Sequence, residues 1–364
     1  MKKFFLLAAM VGVALTGCMK NEVYVPKCDT PISFEVANYV AQTRAAAVNA
    51  GAFDYTSFGV NAWSRDAAAA TSVQMMTNET VTNTGSKWTT ATPYYWPING
   101  TVDFIAYYPT SVEPTIGYDY DGNDTYTYTN YTVEAYPNGV DLMYAVKAIR
   151  FSANKTATEN ESATLPGFGI PDYGFEGVPT LFHHALAKIN FVVKNYQPTH
   201  GHTTYEIVVN EIKLNTYNKG KVTLKNNGET GNAKRGTWTT DPTGNVWTPD
   251  TTGGTVELKW EDATNLTTDA EHNYAPRTEY VLPQALTDDV TLSVKYTVTQ
   301  KSDGDFVSEK TYTPDPIKVN TMGLTKWEMN KNITYTITIS VANNQILFAP
   351  AVAEWEAASG NVAI

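Results

Sequence analysis

The side chains most able to do chemistry are sparse in this chain, and they are poorly grouped. No Gly-x-Ser-x-Gly, no His-Glu-x-x-His and no phosphate-binding loop occurs in the 364 residues. Of the five histidines, only His200 and His202, in Thr-His-Gly-His, have a spacing that puts two imidazoles on one strand face. No carboxylate-rich segment lies nearby to complete a metal site, so the pair reads as a solvated loop. Asp119, Asp121 and Asn123 match the first ligand positions of a calcium loop. The glycine required at its sixth position is Asp124 and the glutamate at its twelfth is Asn130, so a hairpin turn is the better reading. Acidic residues are numerous, but none is marked out as half of a hydrolytic pair. The two cysteines, Cys18 and Cys28, both lie near the N-terminus.

Cys18 has the clearest chemical context. Lys2 and Lys3 precede an apolar run over residues 4–15, which ends in Leu15-Thr16-Gly17-Cys18. The run falls short of the ~20 residues of a spanning helix and has the layout of an export signal. Its ending resembles the lipobox of bacterial lipoproteins, which implies cleavage before Cys18 and acylation of its thiol. Each buried methylene of an acyl chain contributes about 0.8 kcal/mol to anchoring. Met19 and Lys20 follow, with no aspartate directly after the cysteine, which favours the outer membrane. A second chemical mark is Arg44, alone in Ala-Gln-Thr-Arg-Ala-Ala-Ala. It is either a solvated linker charge or the target of an Arg-specific protease, with Ala45 as the new N-terminus. Small flanking residues keep such a bond accessible. Arg65 is the rival site, but it follows a core-like strand. A cut after Arg44 leaves no cysteine, so stability would rest on packing alone.

The elements that must carry these marks are strands. Tyr numbers 23 and Trp 8, hydrophobic residues make up 42 %, and the net charge is −11. The charge disfavours nucleic acid and anionic membrane surfaces as partners. Apolar and polar residues alternate in Val-Thr-Leu-Ser-Val-Lys-Tyr-Thr-Val (290–298) and Ile-Thr-Tyr-Thr-Ile-Thr-Ile-Ser-Val (333–341), the period of half-buried antiparallel strands. Further strands are expected at 101–108, 187–195, 205–215 and 278–284, and a short helix at 67–70. The polar, then Gly- and Pro-rich stretch 151–178 reads as a linker, and 216–255 as hairpin loops of the second domain. The expected organisation is a signal (1–18), a spacer with a first strand (19–45), an N-terminal β-sandwich (46–177) and a C-terminal one (178–364).

The order of several segments resembles the fimbrillin family, subunits of type V pili of Gram-negative anaerobes. Those segments are 31–45 (PISFEVANYVAQTRA), 58–63 (FGVNAW), 94–109 (YYWPINGTVDFIAYYP), 140–145 (VDLMYA), 181–193 (LFHHALAKINFVV), 281–284 (VLPQ), 327–339 and 346–356. The resemblance implies an all-β chain of two tandem transthyretin-like β-sandwich domains with no enzymatic activity and no cofactor. It also implies a route. The lipoprotein export machinery carries the precursor to the outer membrane, an Arg-specific protease cuts after Arg44, and a donor strand from another copy or a sister pilin fills the groove left behind.

Ile32, Phe34 and Val36 alternate with polar or small residues, so one face of the removable strand is expected in the core. Taking three such side chains away forfeits roughly 5–9 kcal/mol of burial, at ~1.5–3 each. That rivals the ~5–15 kcal/mol stability of a domain. The C-terminus offers Ile346 and Phe348, then Val352 and Trp355, then Val362 and Ile364 as donor residues. Ile346 and Phe348 suit a final strand of their own domain equally well. Val362 and Ile364, beyond Ala-Ala-Ser-Gly-Asn, favour donation. A stalk subunit is the leading expectation. The alternatives are a tip or anchor subunit, or an outer-membrane lipoprotein binding glycans through Trp88, Tyr94, Tyr95 and Trp96.

Overall fold

The fold is described from a computed structural model, which covers residues 31–38, 55–66, 68–69, 71–85, 87–120, 124–145, 148–151, 177–197, 201–225, 247–261, 264–267, 270–273, 279–341 and 345–354. Among these residues the chain is built of strands, with one short 3-10 turn and no α-helix. The first ten strands are β1 (Phe34–Asn38), β2 (Ser57–Arg65), β3 (Val73–Asn83), β4 (Trp88–Thr90), β5 (Thr101–Tyr108), β6 (Thr115–Gly117), β7 (Thr125–Thr132), β8 (Met143–Ala145), β9 (Ala148–Phe151) and β10 (Val178–His184). Then come β11 (Ala187–Asn195), β12 (Thr203–Thr216), β13 (Lys219–Lys225), β14 (Thr248–Pro249), β15 (Val256–Trp260), β16 (Asn265–Leu266), β17 (Glu271–Asn273) and β18 (Glu279–Val281). The series ends with β19 (Thr291–Ser302), β20 (Asp305–Tyr312), β21 (Ile317–Lys318), β22 (Lys331–Ser340) and β23 (Gln345–Glu354). Of the helix expected at 67–70, the described residues show a turn instead: Ala68 donates its N–H to the Asp66 carboxylate, and positions 67 and 70 lie outside the described residues. No described helix is long and apolar enough to cross a membrane.

The first sheet closes on itself. Its order is β2-β3-β4-β1-β10-β8-β5, with β9 also on β5, and β5 pairs back to β2. Closure leaves no free strand edge in the ring, which removes the usual template for unwanted pairing. Within the ring, Phe58, Val60, Val102, Phe104, Ala106, Met143, Val178 and Phe182 form one core. Gly59 lets the ring strands approach closely: a Cβ there would sit 2.3 Å from Cζ of Tyr107. Strand β5 is buried almost end to end because it serves two cores. Val102, Phe104 and Ala106 face the ring interior, while Ile105 faces outward onto a second cluster with Tyr126, Tyr128, Leu142, Val222, Leu224 and Trp247.

That second cluster belongs to a four-stranded sheet, β14-β13-β7-β6. The pairing of β13 with β7 (Val222 with Tyr128, Leu224 with Tyr126) joins segments far apart in sequence. Residues 216–255 are therefore not merely hairpin loops of the second domain. Lys219–Lys225 is a strand that packs against the first half of the chain, its Val222 and Leu224 buried among polar neighbours that masked the alternation. Val178–His184, grouped by sequence with the C-terminal sandwich (178–364), is a strand of the first sheet, parallel to β1 and antiparallel to β8.

The remaining strands make a sandwich. One sheet runs β17-β11-β22-β23 with β18 also on β11, and the other runs β15-β12-β19-β20 with β16 and β21 attached. Ile189, Phe191, Val193, Ile333, Tyr335 and Ile337 from the first meet Ile207, Val209, Ile212, Leu214, Val294 and Trp260 from the second. Phe191 meets Trp260 edge-on across the layers at 4.7 Å. A bulge between Val209 and Glu211 adds one residue to β12. It resets the phase, so that 207 and 209 and then 212 and 214 all point inward.

Candidate functional site

Strand β1 is the element that sequence marked for removal, and its seat is built from aromatic rings. Ile32 and Phe34 are 2 % and 3 % exposed, and Val36 packs against the same core partly buried. Phe34 is met edge-on by Phe58 and by Phe104, both at 5.6 Å. Phe58 in turn contacts Trp88 at 5.6 Å and Phe182 at 5.4 Å, and Trp96 meets Phe104 at 5.8 Å. Such edge-to-face pairs add about 0.5–1.5 kcal/mol each beyond area burial. The ring around Phe34 is therefore shaped for one aromatic side chain.

The backbone of β1 is held on both edges. It runs parallel to β10 over Phe34–Asn38, paired with Val178 through Phe182, and antiparallel to β4 at Phe34 and Trp88. The Val178 N–H donates to the Ser33 carbonyl at 2.6 Å, and the Ile32 N–H donates to the Tyr94 carbonyl at 2.7 Å. Without β1, β4 and β10 are left facing each other across a gap one strand wide. The ring opens, and Phe58, Phe104, Trp88 and Val178 lose the apolar groups that cover them. Chemically, such a gap can take up an extended peptide with alternate apolar side chains.

The other marked residues fall as follows. Cys18, Arg44, Ala45, Trp355, Val362 and Ile364 lie outside the described residues, as do Cys28 and His200. Ile346 and Phe348 sit on β23, partly buried against the sandwich core, and Val352 of the same strand is 46 % exposed. Trp88, Tyr94 and Trp96, weighed above as a sugar platform, pack against the ring core, and the Tyr94 hydroxyl donates to Glu79 at 2.8 Å. Tyr95 alone of that group is 47 % exposed. His202 Nδ1 lies 2.6 Å from the Asp303 carboxylate at the surface. Of the calcium-like loop, Asp121 and Asn123 lie outside the described residues, and Asp124 accepts the Asp119 N–H at 2.7 Å. Among the described residues no group of three or more His, Cys, Asp and Glu gathers to hold a metal.

Sequence reasoning missed one buried polar cluster. His184, the last residue of β10, bonds through Nδ1 to the Asp141 carboxylate at 2.5 Å, and the Tyr55 hydroxyl donates to the same oxygen at 3.3 Å. Tyr55 stacks on Tyr108 at 4.0 Å. Burial, then the Asp141 charge, pushes the Tyr55 hydroxyl far above its ordinary range. With both members buried away from solvent, the pair fastens β10 to the loop before β8. The adjacent His183 stacks on Tyr144, and desolvation, with His184 beside it, lowers its pKa to about 3. The only sequence signal was the His-His dipeptide at the end of an apolar strand.

The chain can now be set beside known proteins. The family model described as fimbrillin-like matches residues 43–355. Among solved structures, a fimbrial protein from Bacteroides vulgatus aligns at 20 % identity with a TM-score of 0.55, covering 90 % of this chain and 99 % of that one. A candidate cell adhesion protein from Bacteroides uniformis aligns at 20 % identity with a TM-score of 0.46, covering 90 % and 99 %. No curated protein matches the sequence. The first of these structures shares the fold, and the family match spans most of the chain: this all-β protein belongs to the fimbrillin-like family.

Proposed function

We propose that this protein is a structural subunit of a surface pilus, most simply a stalk subunit, assembled by strand exchange. In this reading Cys18 is lipidated, the precursor reaches the outer membrane, and an Arg-specific protease cuts between Arg44 and Ala45. The cut frees Ile32, Phe34 and Val36 together with the acylated N-terminus. A strand from another subunit, drawn from the C-terminal segment of Ile346, Phe348, Val352, Trp355, Val362 and Ile364, then fills the groove. The partners are other copies of this chain or sister pilins. We read the chain as two sandwich units; residues 152–176, expected to link them, fall in sequence between β9 and β10, which are strands of one and the same sheet.

One observation carries the proposal. A single strand lying wholly before Arg44 closes the ring, fills its aromatic seat and is bonded on both edges. Its loss exposes apolar surface and two strand edges together, a state that another strand relieves. The fimbrillin-like family match supports the same reading. The glycan-binding alternative has less support, because Trp88, Tyr94 and Trp96 are committed to packing.

The test is N-terminal sequencing of protein sheared from the surface of native cells, compared with the membrane fraction. Sheared protein beginning at Ala45 and running as a ladder of SDS-resistant oligomers is the expected result. Protein that stays wholly acylated at Cys18, with residues 19–44 intact, would return the function to a surface lipoprotein or an uncut anchor.

A further inference from the structure

The groove that β1 fills has walls on β2 and β10, and one buried carboxylate reaches both. Phe58 on β2 and Phe182 on β10 meet at 5.4 Å, and Phe58 packs on Phe34. Tyr55 stands three residues before Phe58, and His184 two residues after Phe182. Both are bonded to the same oxygen of Asp141: Tyr55 donates its hydroxyl at 3.3 Å, and His184 lies at 2.5 Å through Nδ1. The other oxygen, Oδ1, is buried with no hydrogen-bond partner among the described residues. A buried carboxylate that loses one of its few partners is left poorly compensated, so each of the two contacts resists removal.

None of these contacts depends on β1. The ladder between β1 and β10 stops at Phe182, short of His184, and β1 makes no ladder with β2. Asp141 is held by the start of β8, which pairs with β5 and β10, and the Leu142 carbonyl beside it accepts the Ala185 N–H at 2.7 Å. The Tyr55 ring lies on Tyr108 at the end of β5, and the Tyr280 hydroxyl, on β18 of the sandwich, is within hydrogen-bonding reach of its own. In the sheet, β5 and β8 separate β2 from β10. The contacts through Asp141 span that separation at the end of the ring where β1 leaves it. They fix the spacing of two walls that no strand pairing joins directly.

We infer that Asp141 is a positioning residue for strand uptake: with Tyr55 and His184 it holds the emptied groove in the shape that an incoming strand needs. The inference rests on the strand-exchange reading and concerns the receiving chain, whichever strand arrives. While β1 is seated, its own pairing to β4 and β10 also holds the walls. Once β1 has gone, Phe58 and Phe182 gain by closing over the vacated seat, and the clasp through Asp141 opposes that closure. A groove whose walls are already in place takes up a strand without first ordering itself, which makes binding tighter and faster.

The test uses the full chain with a sequence-specific protease site inserted after Arg44. After cleavage the N-terminal piece is removed by gel filtration in moderate urea, and the body is returned to buffer. The probe is a fluorescent synthetic peptide of residues 31–44, so the result does not depend on which strand is the natural donor. Its uptake is followed by fluorescence anisotropy. Hydrogen exchange of the segments carrying Phe58 and Phe182 is measured in the uncut chain and in the emptied one. Tyr55→Phe, which keeps the ring on Tyr108 and removes only the hydroxyl, is expected to slow uptake at least tenfold. It should also speed exchange at both walls in the emptied chain while leaving the uncut chain near normal. Asp141→Asn should slow uptake at least as much. Tyr118→Phe, which takes a hydroxyl from the Asp103 carboxylate on the outer face of β5, is the control and should change neither. Uptake within twofold of normal for Tyr55→Phe and Asp141→Asn would overturn the inference. Equally faster exchange in the uncut Tyr55→Phe chain would overturn it too, because the contacts would then be ordinary packing. If the unaltered body stays folded but takes up no peptide, strand exchange falls and the inference falls with it.

Discussion

Phe34→Ala in the uncut chain tests most directly whether the ring depends on its first strand. Phe34 is 3 % exposed and touches Phe58 and Phe104 edge-on. Truncating a buried phenylalanine costs about 3–5 kcal/mol when the site cannot collapse. Collapse is hindered here, because the two rings flanking the site lie on β2 and β5, which are fixed to each other by seven register pairs from Gly59–Tyr107 to Arg65–Thr101. The upper half of that range is therefore expected. The assay is urea unfolding followed by tryptophan fluorescence, with Trp63, Trp88 and Trp96 reporting the ring and Trp260 and Trp327 the sandwich. The ring transition should move to lower urea by that amount, and the sandwich transition should stay in place. Val73→Ala, on a side chain 65 % exposed, is the control and should cost under about 0.5 kcal/mol. A loss below about 1 kcal/mol for Phe34→Ala would refute the reasoning. It would mean that the ring seals without this side chain, so that cutting the strand away leaves nothing for a donor to repair.

Other outcomes follow from the same geometry. Gly59→Ala drives a methyl group into the Tyr107 ring and is expected to cost about 1–3 kcal/mol in the same urea assay. Asp141→Ala takes the acceptor from the His184 imidazole and the Tyr55 hydroxyl and should cost about 2–4 kcal/mol, seen as faster hydrogen exchange across β10. His183 stays neutral in the fold down to about pH 3, whereas in the unfolded chain it takes a proton near pH 6.5. Its contribution is thus complete above about 6.5 and is lost as pH falls toward 3, by up to about 2 kcal/mol between pH 6.5 and pH 5. His183→Gln should flatten that part of the stability–pH curve. Arg44→Ala should leave surface protein uncut, read by N-terminal sequencing, whereas Arg65→Ala should not.

The all-β class and the long strands were legible because their partners are all on one side. Thr291–Ser302 and Lys331–Ser340 each bury one face of the sandwich, so Leu292, Val294, Tyr296 and Val298, and Ile333, Tyr335, Ile337 and Ile339, keep strict alternation. The inward set of β1, Ile32 and Phe34, was legible for the same reason. Where one strand serves two cores, as Thr101–Tyr108 does, alternation disappears and only length identifies it. Where a bulge resets the phase, as at Asn210, the alternation breaks although the strand is continuous. Long-range pairing was not legible. Nothing in Lys219–Lys225 names Thr125–Thr132 as its neighbour, and nothing in Val178–His184 tells a sequence reader that it lies beside Phe34–Asn38 rather than with the strands that follow it. Nor does spacing show that residues 141 and 184 meet. That contact depends on where two chain segments end, which local propensity does not set.

The two-edged seating of the first strand also has a mechanical meaning. When a strand is peeled from one end, its hydrogen bonds break one at a time and the force needed is small. When it is pulled along its own axis, the bonds to both neighbours stretch together, and the side chains locked between rings must slide past them at the same instant. A tether attached ahead of Pro31 pulls β1 in the second way, because β1 runs parallel to β10 and enters the ring end-on. Drag on the body of the molecule is then borne in shear across the whole strand. Any extended segment that takes the same seat inherits this geometry, so the joint can transmit tension although no covalent bond crosses it.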